Sequence, residues 1–122
     1  MTIAYWCVLV VIFFPYFFTI LAKTGAHFNN HDPRAYLEGA TGWRKRAYYV
    51  QLNSFEALPA FGFAVVIAHL MQVDQFKLDI LAITFVIARI LYAICYLADK
   101  AFLRSLVWAL GIACIISMFC IN

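Results

Sequence analysis

The chain has 122 residues, of which 66% are hydrophobic and 12% charged, and its net charge is +3. A soluble domain carries roughly 25% charged residues, and a chain this short has no interior large enough to hide so much apolar surface. The composition therefore argues against a soluble all-helical domain. The small positive charge, without a basic stripe, argues against nucleic-acid binding.

The first segment, Ile3 to Ala22, contains no charged residue and has about the 20 residues needed to cross a bilayer core. No basic residue precedes it and no small-x-small cleavage site ends it, so it reads as a retained anchor rather than a signal peptide. Pro15 falls near its middle, a position tolerated where neighbouring helices satisfy the freed carbonyl. The loop from Lys23 to Trp43 is the one sizeable piece outside the apolar segments. Within it, Asp32 and Pro33 predict a helix N-cap followed by proline at the first helical position, and Gly39 predicts the stop.

A second span covers about 44–71, opening with three basic residues beside Trp43, an interface signature. Val73, Asp74 and Gln75 read as a tight turn. The third span covers about 76–98, and the short Asp99-Lys100 connection makes it an antiparallel neighbour of the fourth, about 102–121. The expectation is an all-α membrane protein, one domain over 1–122, with four helices running up and down. One set of connections carries Lys23, Arg34, Arg44, Lys45, Arg46, Lys100 and Arg104, and the other only Lys77. The positive-inside rule puts the first set in the cytoplasm and both termini on the far side. Cys7, Cys95, Cys114 and Cys120 all sit in apolar stretches without a C-x-x-C pair and read as small buried hydrophobes.

A polar seam interrupts the apolar pattern. At 100° per residue, Tyr49, Asn53 and Glu56 fall within roughly 80° of Arg46, on one helical face. Arg89, Tyr92, Tyr96 and Asp99 repeat a similar spacing on the third span. Pro59 cannot donate to the carbonyl of Phe55, which leaves a free acceptor beside Asn53 and Glu56. Glu56 lies about 18 Å from the start of the second span and Arg89 roughly 15 Å from the same end of the third. Matched in depth, they fit two readings equally: an ion pair that fixes packing, or a ligand site. The seam holds more polar groups than one pair needs, and Arg34, Arg44, Lys45, Arg46 and Arg104 form a cationic mouth suited to a small anion. His27 and His31 are spaced i, i+4 in a loop and read as solvated rather than metal-binding, and His69 reads as interfacial. No Ser-His-Asp set, phosphate-cradling glycine loop or carboxylate pair is present.

The run from Arg46 to Phe61, with Gln51, Asn53, Glu56 and Pro59 at Gln-x-Asn-x-x-Glu-x-x-Pro-x-Phe, resembles the second-helix signature of the MAPEG family, membrane-associated proteins in eicosanoid and glutathione metabolism. Ala88-Arg89-Ile90-Leu91-Tyr92, followed by Tyr96 and Arg104, resembles the family's second motif. Together they cover more than half the chain, and the loop Asn30 to Arg34 is similar to that of short bacterial members. The resemblance implies a homotrimer in a bacterial inner membrane, with glutathione as co-substrate, no metal, and ligand sites between subunits. It implies that Asn53 and Glu56 hold the γ-glutamyl end, that Arg34 and Arg46 pair with carboxylates beside Gln51, and that Arg89, Tyr92 and Tyr96 belong to the pocket lining. Arg104 would stabilise the thiolate, since a cation beside a thiol raises its reactive fraction. The leukotriene-forming synthases have arginine where this chain has Tyr49 and tyrosine where it has Ala57, and the register near Arg104 is shifted by one residue.

Two functions follow. One is a glutathione-dependent transferase or peroxidase acting on hydrophobic electrophiles dissolved in the bilayer. The other is a non-catalytic scaffold of the same family that binds a lipid or a partner. A proton or solute pathway fits less well, because no chain of ionisable groups reaches the far face.

Overall fold

The computed structural model describes residues 1–25 and 27–122. Five helices follow in chain order: α1 (Ile3–Ala22), the short α2 (Pro33–Glu38), α3 (Gly42–Leu70), α4 (Gln75–Leu97) and α5 (Ala101–Cys120). All but α2 are long and apolar enough to cross a membrane, and the described residues contain no strand. The protein is an integral membrane protein built as a four-helix bundle.

Local chemistry sets the helix ends. Thr2 caps α1 by accepting the Tyr5 amide at 3.2 Å. Asp32 caps α2 by accepting the Ala35 amide at 3.2 Å, with Pro33 at the first position and Gly39 closing the turn. Asp74 caps α4 through the Lys77 amide at 2.8 Å. Helices α3 and α4 both end in a Schellman turn. The Val73 amide reaches back to the Ala68 carbonyl, and the Lys100 amide to that of Cys95. Gln72 and Asp99 take the left-handed position of each turn, with φ of 56° and 57°. Asp99 thus leaves the helix and does not continue the polar face of Arg89, Tyr92 and Tyr96.

Both internal prolines lie inside unbroken helices. Helix α1 packs chiefly on α3, and α5 chiefly on α4, while α3 and α4 meet between them. The part of the bundle away from α2 has an apolar core. Its centre is the parallel stack of Phe61 on Phe85, with ring centroids 4.1 Å apart and planes 5° from parallel. Leu78, Val65 and Met118 surround it, each at most 1% exposed. Towards the α2 end the filling changes to Phe18, Val50, Tyr92 and Ala93, and the functional residues begin there.

Asp79 ties two helices together at the other end. One carboxylate oxygen accepts the Ala4 amide at 2.9 Å and the Gln75 side-chain amide at 2.7 Å. One of the orphan N–H groups at the start of α1 is thereby satisfied across the bundle.

Candidate functional site

Arg89 anchors the site. It lies midway along α4 and is only 5% exposed. Its Nη2 donates to Ser54 Oγ at 3.4 Å, and its guanidinium lies over the Tyr92 ring at 4.3 Å. Tyr92 meets Tyr96 edge-on at 5.7 Å, and the Arg104 guanidinium covers the Tyr96 ring at 4.4 Å. A continuous relay therefore runs from Ser54 on α3, along α4, to Arg104 in the first turn of α5. Each link sets a cation against a ring face, a ring against a ring, or a cation against a hydroxyl. These contacts suit a guanidinium in a poorly hydrated place.

The sequence leaves open an Arg89–Glu56 ion pair or a ligand site; in the structure the hydrogen-bond partner of Arg89 is Ser54. Ser54 is 2% exposed. On an ideal helix it sits about 100° around from Asn53, on the side facing the core. Glu56 lies on the exposed side, where its Oε2 accepts from Asn53 Nδ2 at 3.3 Å. In side-chain hydrogen bonds the seam holds two units, a buried cation with a neutral acceptor and an exposed acid with an amide. Ser54 went unnoticed in the sequence because a small hydroxyl residue among apolar neighbours carries no periodic signal. Its depth opposite Arg89 was the one clue available.

Tyr49 extends the relay outward. It is 41% exposed, lies 6.2 Å from Tyr96 and stacks on Tyr48 at 6.1 Å. The Lys45 ammonium lies 5.4 Å above Tyr48 and 5.3 Å above Tyr49.

The remaining cations at this end are partly committed to the backbone. Arg46 Nε donates to the Leu97 carbonyl at 3.2 Å, closing the C-terminal end of α4 where a positive charge is favoured. Arg44 Nε donates to the Thr24 carbonyl at 2.7 Å, and the Lys45 ammonium to the Glu38 carbonyl. Arg34 projects from α2 and is exposed, apart from the relay. Gln51 also stays apart, about 160° around α3 from Asn53 on an ideal helix. Its Oε1 and the Oδ1 of Asn53 are buried without a hydrogen-bond partner.

Among the described residues no group of three histidine, cysteine or acidic side chains could hold a metal ion. His69 packs its ring 4.9 Å from Tyr5, and His31 belongs to a turn in which its amide donates to Asn29.

The protein thus sets Glu56 on the open flank of α3 with Asn53 half-buried beside it, and Arg89 on the core side of the same helix, at the head of the Tyr92, Tyr96 and Arg104 relay on α4 and α5. Carboxylate, amide and guanidinium groups can hold a small zwitterion, and a ring wall can hold its apolar partner. A search among curated proteins gave no match. The family model described as MAPEG family matches residues 3–122. With that match over almost its full length, on a bundle of four helices long and apolar enough to cross a membrane, the chain belongs to the MAPEG family.

Proposed function

We propose that the protein is a glutathione-dependent membrane transferase or peroxidase acting on hydrophobic electrophiles. The observation that carries this reading is the exposed Glu56 with the half-buried Asn53 bonded to it on α3, the helix whose Ser54 meets the Arg89–Tyr92–Tyr96–Arg104 relay. In this reading Glu56 receives the ammonium of glutathione with the Asn53 Oδ1 as a second acceptor, and the Asn53 Nδ2 donates to the α-carboxylate of the γ-glutamyl end. Arg34 and Arg46 meet carboxylates, with Gln51 contributing from a neighbouring copy. Arg104 faces the sulfur and favours the thiolate, whose proton passes to water. The thiolate forms a C–S bond as the electrophile's leaving group departs. With a hydroperoxide it forms an S–O bond as the O–O bond breaks, the alkoxide takes a proton from water and leaves as the alcohol, and a second glutathione reduces the sulfenic acid to the disulfide and water.

The acceptor arrives from the lipid side, past Tyr49. The functional assembly is a homotrimer in which a neighbour closes the flank of α3, in a bacterial inner membrane with the α2 end in the cytoplasm.

The test is a titration of the detergent-solubilised protein with glutathione, followed by thiolate absorbance. Saturable thiolate formation that is lost in Arg104→Ala supports the transferase reading. Saturable binding with neither thiolate nor turnover supports the family's non-catalytic, lipid- or partner-binding role instead.

A further inference from the structure

Arg89 is the one basic residue inside the spans, away from both ends of the bundle. A buried guanidinium has five N–H donors and a charge that is expensive to leave unmatched. Glu56 lies at a similar depth on the neighbouring helix, yet the hydrogen bond of Arg89 goes to Ser54. Ser54 and the Tyr92 ring both contact the group, at 3.4 Å and 4.3 Å, and both are buried. The guanidinium is thereby kept on the core side of α3, and Glu56 stays on the open side with Asn53.

We propose that Ser54 is a positioning residue that holds Arg89 away from Glu56 and so leaves the Glu56 carboxylate free for a cationic ligand group. A free arginine and a carboxylate at one depth in a membrane span neutralise each other, because neither has water to replace the partner. Such an ion pair would occupy the acid that a ligand ammonium needs. One neutral hydroxyl on the core side, reinforced by a ring face, is enough to bias the choice. Arg89 then acts on the site as a nearby charge and as the support of Tyr92, without taking up the acid. The consequence for ligand affinity rests on the function proposed above, whereas the position of Arg89 does not.

The experiment reads Glu56 directly. Wild-type protein in detergent is treated with a water-soluble carbodiimide and a glycine ester, and the labelling rate of Glu56 is followed by peptide mass spectrometry. Ser54→Ala should slow that rate about tenfold, the size of one hydrogen bond to a charged group redirected to the acid. Ser54→Thr, which keeps the hydroxyl, should restore it. Ser54→Ala combined with Arg89→Gln should also restore it, because no cation remains to cover the acid. An unchanged rate in Ser54→Ala overturns the proposal, as does slow labelling that persists in the double variant. Glutathione affinity is measured on the same samples and should fall about tenfold in Ser54→Ala alone. Wild-type protein that ignores glutathione would overturn the proposed function, and the labelling rates would still decide the role of Ser54.

Discussion

Removing the Asp79 carboxylate should loosen the attachment of α1 to α4, and the size of the effect follows from its two hydrogen bonds. Ala4 is fully buried, so its amide at 2.9 Å from Asp79 has no water to turn to once the carboxylate is gone. An orphaned buried donor costs about 1–3 kcal/mol. The bond from Gln75 at 2.7 Å is better placed to find solvent and adds little. Asp79 is itself half-buried, which places the total for Asp79→Ala near the middle of that range, about 2 kcal/mol. Asp79→Asn keeps an oxygen for the Ala4 amide but loses the charge that favours a helix N-terminus, for about 0.5–1 kcal/mol. Reversible unfolding in mixed micelles with increasing anionic detergent measures both. Hydrogen exchange at the Ala4 amide should quicken in the alanine variant alone. A loss in Asp79→Ala below about 0.5 kcal/mol, or equal losses in the two variants, would refute the reasoning.

Three further outcomes are expected. Phe85→Ala removes one half of the parallel ring stack at the centre of the core and should cost about 3–4 kcal/mol in the same unfolding assay, while a loss under about 1 kcal/mol would mean the bundle collapses around the gap. Gly111→Ala should leave stability within about 0.5 kcal/mol of wild type, because the new methyl group would meet the Phe85 ring at an ordinary contact distance of 3.5 Å; a large loss would show that α5 sits closer to α4 than described. Glu56→Gln should weaken glutathione binding about tenfold or more while leaving the unfolding midpoint in place, because the carboxylate is exposed and, among the described residues, accepts from Asn53 alone; a midpoint that falls together with affinity would make Glu56 a packing residue.

The spans were legible because their apolar runs match the thickness of a bilayer and are separated by charged or short polar connections. Helix α2 was equally legible, since Asp32, Pro33 and Gly39 each have one favoured place at a helix end. The face shared by Asn53 and Glu56 could be read from phase alone, and so could the neighbourhood of Arg89, Tyr92 and Tyr96. What phase could not supply was how α3 is rotated against α4. That rotation puts Ser54, rather than Glu56, in front of Arg89. Asp99 failed for a related reason. Its spacing continues the α4 pattern, but the helix stops at Leu97 and the residue takes the left-handed turn position. Arg46 reads as a ligand cation from its place in the seam, whereas the backbone ending at Leu97 gives it a local task as well. The Asp79 tie was invisible, because it joins residues 75 positions apart.

One contrast between surfaces bears on the proposed assembly. The outward faces of α1 and α5 expose large apolar side chains, among them Phe13, Phe17, Ile20, Phe102, Leu106 and Phe119. Such surfaces suit lipid. The open flank of α3 differs, because Tyr49 and Glu56 stand on it with Asn53 beside them. Glu56 lies about 21 Å along a helix of roughly 43 Å, at its midpoint. A carboxylate left facing hydrocarbon at that depth costs about 2.5–3.5 kcal/mol on insertion scales, and one 3.3 Å bond from a neighbouring amide does not offset it. Arg89 poses the opposite problem, a buried cation matched by a hydroxyl and a ring. Each charge is acceptable if a further surface and a zwitterionic ligand complete the site, and each is costly if they do not. On this argument the polar flank of α3 is the surface that a neighbouring copy would cover in the trimer proposed above.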